Sequence, residues 1–472
     1  MTALLLGLAL AQTTSHGEWR MIESMPQPFV IDPDGRTPGW GPSLDHRFRF
    51  GLDAVETVRE GRTQLRLGFE ADVLTGQVAG ATWGLSDLDE RRRHVLGLAE
   101  PGSVALRRLE GGIRTGAGDL QVGATMSHWG LGLVANDGAH DPWFGRVDFG
   151  DRVARVRFAT APLGADVPLF VIVAGDRVLA DEFARTSQGD DAYQGLLSVL
   201  WRTEAGEAGL YSARRVQTDA DGYGLQVWVL DATASVRREV QGGDLRLAFE
   251  AATLLGSTDV LRTAQSAEGV AVRNGGAVGM VEWLGERHGL LGKVAWASGD
   301  RTPDDDVYTA FRFDRDHNVG MVLFDEVQGA TELAAIEQGQ DPDRGAVSQP
   351  GLPNLATEGA FQSAFALQPA GVWAPLNFLE LRAGAVFAWA TGPISQPVQA
   401  ALNGGAPTNP IGEPSDGRYL GTELDWAIGT RVPEDWSFRP QLQVQGGHGW
   451  TSEAWLGGQR VDLLLVTGRL RW

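Results

Sequence analysis

The sequence contains no cysteine. That excludes a disulfide framework, thiol catalysis and any Cys-ligated metal. It also lacks a run of about 18 apolar residues, so no helix could cross a membrane. Basic residues are scarce beside acidic ones. The 40 Lys and Arg against 60 Asp and Glu give a formal charge of −20, which argues against a nucleic-acid partner. Gly-rich stretches lack a following Lys-Ser/Thr and a helix, so there is no phosphate loop. The eight histidines show no HExxH or paired ligand spacing. What is abundant is glycine (63) and tryptophan (16), with a slightly negative mean hydropathy. That profile suits a barrel in which half of every strand faces water.

The opening MTALLLGLALAQTTS has an apolar core ending in Ala9-Leu10-Ala11, an A-x-A cleavage pattern, although no basic residue lies near Met1. Residues 1–11 are therefore expected to be a signal peptide. Residues 12–43 follow as a Pro- and Gly-rich segment that could hold a first strand around Trp19 to Met25, and residues 44–472 as the main unit.

That unit ends on Val461 to Trp472, where Trp472, Leu470, Gly468, Val466 and Leu464 alternate with Arg471, Arg469 and Thr467. Strict alternation marks a strand with one apolar and one polar face. A terminal aromatic on such a strand resembles the assembly signal of bacterial outer-membrane barrels, here carried by Trp472 and Leu470. If so, apolar means lipid-facing and polar means lumen-facing along every strand.

The same alternation recurs from Leu44 onwards. Phe48, Phe50, Leu52 and Ala54 alternate with Arg47, Arg49 and Asp53; Leu65, Leu67 and Phe69 alternate with Arg66, Glu70 and Asp72. Hairpins of this kind are joined by short turns and separated by long connections, the longest being 299–356. Short turns at one end and long loops at the other are the mark of a transmembrane antiparallel up-and-down β-barrel. Seventeen strands are clear. An even count then requires one more before Leu44, giving 18; 16 is the alternative, should Phe365 to Val372 not pair.

Lumen-side positions carry Arg47, Arg49, Arg66, Arg155, Arg157, Arg246, Arg382, Arg469 and Arg471, with Glu70, Asp72, Glu423 and Asp425 among the acids. Arginines in a constricted lumen would favour anionic solutes, because a low-dielectric wall focuses their field. The competing reading is a ladder of inward Arg and carboxylate pairs that holds a wide barrel. The excess acid lies in the connections, including Glu182, Asp314 and Asp316. These carboxylates would suit Ca²⁺, but a solvated acidic surface is the simpler expectation, and no metal or cofactor is assigned.

Ser127-His128 is not a hydrolase dyad, since neighbours on a strand point to opposite faces. No catalytic site is expected. The strings Trp129-Gly130-Leu131-Gly132 to Gly138, Ser298-Gly299-Asp300, Phe311 to Gly320 and Leu420 to Asp425 resemble a group of large myxobacterial-type outer-membrane barrels of unassigned function, similar to alginate-export-type barrels. The N-terminal region departs from that group, which usually opens on a clear strand. The resemblance implies an 18-stranded, arginine-rich conduit for a polyanion. The longest loop could fold inward as a constriction, with Phe311, Phe313, Asp314, Asp316 and Asn318 at its centre.

The expectation is a porin-like channel in the outer membrane of a Gram-negative bacterium, passing hydrophilic, anionic or polysaccharide solutes. Its partners would be outer-membrane lipid and lipopolysaccharide and the barrel-assembly machinery. A plugged structural or adhesion barrel is the alternative.

Overall fold

The computed structural model describes residues 12–38, 42–58, 63–80, 103–147, 150–164, 166–263, 265–341, 343, 357, 359–433 and 436–472. The expected signal peptide lies outside these residues.

Among the described residues there are nineteen strands: β1 (Gln12–Pro26), β2 (Ser43–Val58), β3 (Thr63–Gly80), β4 (Ser103–Thr115), β5 (Gly118–Met126), β6 (Arg152–Thr160), β7 (Leu169–Ala180), β8 (Asp191–Thr203), β9 (Gly206–Thr218), β10 (Gly224–Val240), β11 (Gly243–Thr258), β12 (Val270–Gly285), β13 (His288–Ala297), β14 (Val307–Tyr308), β15 (Ala364–Leu376), β16 (Leu379–Ala390), β17 (Tyr419–Thr430), β18 (Arg439–Thr451) and β19 (Arg460–Arg471). The two-residue β14 makes only a parallel pairing on β12, while β13 pairs directly with β15. The remaining 18 strands pair antiparallel, each with its neighbours, and β1 pairs with both β2 and β19 to close the ring. Closure leaves no sheet edge, which is what a strand structure in lipid requires.

The strand expected before Leu44 is β1, longer than the Trp19–Met25 stretch and ending at Pro26, which is its last paired residue. The pairing of Phe365 to Val372 with both neighbours excludes the 16-strand count. Glycine and the terminal tryptophan complete the seam. Gly17 exchanges backbone hydrogen bonds with Trp472 at 3.0 and 3.1 Å. The indole lies 5.5 Å from the Phe48 ring and so close over Gly17 that a Cβ there would come within 2.3 Å of it.

Leu65, Leu67 and Phe69 are exposed on the outside of β3, as the alternation predicts. Arginine placed at Leu67 is expected to cost about 2–4 kcal/mol if the position lies near the bilayer midplane. A refolding titration in urea with an unchanged midpoint would reverse the face assignment.

The rule that apolar always means lipid-facing does not hold. Val461, Leu463 and Leu465 on β19, Val386 and Ala388 on β16, and Ala295 and Ala297 on β13 are buried on the inner face. They share one apolar cluster with Leu133, Phe144, Phe311, Phe313, Met321, Leu323, Phe324 and Phe361. Those residues belong to two connections, 127–151 and 298–363, whose described parts fold into the barrel. Once a loop packs there, the inner wall it touches is no longer wet, and apolar side chains gain from burial.

Candidate functional site: the barrel lumen

The inner wall is built in two unlike parts. From the C-terminal half of β19 through β1 to β6 it is charged, and each sequence-predicted arginine has a carboxylate partner. Glu18 on β1 receives Arg47 at 2.6 Å, Arg471 at 3.0 Å and Arg469 at 3.3 Å. Arg49 makes a two-pronged contact with Asp72 at 2.6 and 2.9 Å, and Arg155 does the same with Asp176 at 2.8 and 2.7 Å. Arg66 bonds Asp119, and Arg157 lies 3.9 Å from the same carboxylate. Glu70 accepts from Arg107 at 2.8 Å. On the opposite wall Arg246 meets Glu282 at 3.0 Å and Arg382 meets Glu380 at 2.6 Å. The ladder geometry is therefore present, and the wall charges are balanced locally.

Two wall glutamates hold the inward loops. Glu423 on β17 is fully buried and accepts the backbone N–H groups of Met321, Val322 and Leu323 at 2.5, 2.9 and 2.8 Å. Glu250 on β11 does the same for Leu131 and for Leu133, the latter at 3.2 Å. Successive amides converging on one carboxylate form an anion nest. The nest needs backbone that folds back on itself, and the glycines of the two motif strings supply it. Gly320 (φ 76°) lies where a Cβ would be 2.7 Å from a Glu423 oxygen, and Gly130 (φ 57°) where it would be 2.5 Å from Glu250.

The loops also hold each other. Asp314 N–H donates to the Leu133 carbonyl at 2.8 Å, Asn318 Nδ2 to the Arg146 carbonyl at 2.9 Å, and Gly150 N–H to Asp316 at 2.7 Å. Phe311, Phe313, Asp314, Asp316 and Asn318 are thus all buried at the contact between the two loops and the wall. Glu423 and Asp425 face inward but are covered by the longer loop. Leu323–Gln328 forms a π-helical turn that leads into helix α1 (Gly329–Gln340).

Lys293 on β13 was not singled out from the sequence, although it is the only lysine in the chain. Its buried Nζ donates to the Asn318 carbonyl at 2.6 Å and sits 5.2 Å from the centre of the Trp143 ring. One cation therefore touches both loops. Its rarity was the available signal.

Between these loops and the wall of β8 to β12 lies a cavity of about 170 Å³. Its lining is mainly aliphatic, with Asp151, Glu182, Asp314, Arg215 and Arg312 among the polar members. Burial and mutual repulsion push the three carboxyls up, Glu182 to about 7. Arg215 is engaged by Asp181 at 2.6 Å, and the Arg312 guanidinium stacks 4.0 Å over the Phe183 ring.

The histidines are not all scattered. Loop 127–151 stacks His128 on His140 with ring centres 4.5 Å apart and sets Asp137 beside both, a grouping that intervals of nine and three residues in an irregular loop do not announce.

A closed antiparallel barrel with an apolar outer face, a charged inner wall and loops folded into its lumen has the architecture of a transmembrane β-barrel. No protein-family model matches the chain, and no curated protein matches it. Solved outer-membrane channel barrels do resemble it. Acinetobacter baumannii OccAB1 matches with a TM-score of 0.57 at 8% identity, over 98% of this chain and 99% of that one. Pseudomonas aeruginosa OpdK, solved with vanillate, matches at 0.54 and 12% identity over 98% and 99%. Pseudomonas aeruginosa OccK2, solved with glucuronate, matches at 0.53 and 10% identity over 98% of both chains. At these identities the likeness establishes the fold.

Proposed function

We propose that this chain is a solute-selective channel of the Gram-negative outer membrane, exported by a signal peptide in residues 1–11. It would be inserted by the barrel-assembly machinery among lipid and lipopolysaccharide. Its cargo is small, hydrophilic and anionic. The observation that carries the reading is the division of the lumen: two pinned loops pack on the apolar wall, and the arginine-bearing wall of β19 and β1 to β6, which the shorter loop meets through Asp141 on Arg469 and Arg471, supplies the polar face of the path. Vanillate and glucuronate, held by OpdK and OccK2, are small carboxylates of the class such a wall would favour. The motif resemblance to alginate-export-type barrels extends the cargo to a linear polyanion. Two loops packed inside the barrel favour the smaller solute, and no catalysis is assigned.

Single-channel recording in a planar bilayer under a salt gradient tests this. A steady, anion-preferring current is expected, and silence from correctly folded protein would favour a plugged structural barrel. The current should also depend on pH. Glu326 lies in the inward loop near Asp325, Glu423 and Arg146; burial and the Glu423 charge raise it from 4.5 to about 7, against the pull of Arg146. A carboxyl raised in the docked state favours docking fully below 4.5 and loses that contribution as the pH passes about 7. Conductance is therefore expected to increase across that window, and Glu326→Gln to flatten the change. An unchanged pH profile in that variant would remove Glu326 from the account.

A further inference from the structure

We propose that His128, Asp137 and His140 form a binding site for a divalent transition-metal ion inside the lumen. One ligand atom from each lies within 4.8 Å of the others. The Asp137 oxygen is 3.6 Å from His128 Nδ1 and 3.3 Å from His140 Nδ1. Two ligands each about 2.0–2.1 Å from a tetrahedral zinc ion lie about 3.3 Å apart, so both nitrogen–oxygen separations already approach the required spacing. Two imidazoles and one carboxylate are a ligand set for Zn²⁺, Ni²⁺ or Cu²⁺ and not for Ca²⁺ or Mg²⁺, which take oxygen. Three protein ligands leave a fourth position for water or a passing anion.

The surroundings suit such a site. His128 Nδ1 is enclosed and makes no hydrogen bond, so a metal could occupy it without displacing one. Arg107 donates to the Asp137 carbonyl at 2.9 Å and fixes the backbone from which the carboxylate projects. His140 is more than half exposed, which gives the ion an entry path. The next residue, Asp141, is held by Arg469 and Arg471 at 2.7 and 2.9 Å. The trio therefore sits beside the charged wall, where a bound cation would add one more positive centre to the anion path. That consequence rests on the channel reading; the site itself does not.

The test is calorimetric titration of ZnCl₂ into the untagged, refolded full-length barrel in detergent, which reads binding whether or not the pore conducts. We expect one saturable site that ignores CaCl₂ and MgCl₂. His140→Ala, an exposed position that leaves folding intact, and Asp137→Asn should each abolish it, whereas His16→Ala, on β1, should leave it unchanged. Heat-modifiable gel mobility confirms that each variant has folded. Absence of saturable zinc binding by the wild-type barrel, or binding that persists in His140→Ala, would overturn the proposal. Zinc-dependent reduction of single-channel current, lost in His140→Ala, would place the ion in the conducting path.

Discussion

Replacing Glu423 by alanine is expected to release the longer inward loop and raise single-channel conductance, with a noisier open level. The carboxylate accepts three consecutive amides of that loop in a fully buried setting. Removing it leaves three N–H groups without an acceptor, at about 1–3 kcal/mol for each buried donor left unsatisfied. The apolar cluster and Lys293 still hold other parts of the loop, so partial undocking is expected while the wall stays folded. Glu423→Gln, which keeps one carbonyl acceptor, should fall between the two. Hydrogen exchange at Met321 to Leu323 reads the same event without current. Wild-type protection of those amides in the alanine variant would end the anchoring argument.

The second large effect is expected at the last residue. Trp472→Ser should lower the yield of heat-modifiable barrel sharply, both in cells and on refolding. The indole covers Gly17 and packs on Phe48, and the backbone of Trp472 makes the final two hydrogen bonds of the β1–β19 seam. A strand ring is cooperative at its closure, because an unclosed seam exposes a row of unpaired amides and carbonyls to lipid. The seam is also held inside by Glu18 with Arg469 and Arg471. Loss confined to cellular yield, with normal refolding in detergent, would assign Trp472 to recognition by the assembly machinery and not to seam packing. Normal levels in both settings would remove it from assembly altogether.

The barrel was legible because its evidence is local. A strand side chain points to one face or the other with period two, so Leu65, Leu67 and Phe69 against Arg66 and Glu70 state their faces without any knowledge of the partner strand. Strand number followed from parity and topology, and β1 stands where that argument required it, despite the prolines around it. The arginine wall was equally visible, since Arg47, Arg49, Arg469 and Arg471 all occupy polar phases of clear strands. What those arginines meet was not visible. Glu18 was hidden in a segment with weak patterning, and Asp141 lies in a loop that returns 328 residues from Arg469 to find it.

The amino-acid sequence by itself determined the class of protein: alternation, turn spacing and the terminal strand suffice for a closed transmembrane barrel, because each depends on neighbours in the chain. Only the tertiary structure decided what the barrel contains. Glu250 meets Leu133 across 117 residues and Glu423 meets Met321 across 102, while Val461, Leu463 and Leu465 turn out to pack on loops and not on lipid or water. No periodicity encodes such contacts. They follow from which loop fits inside a closed wall, and that is settled by volume, buried amides and charge in three dimensions.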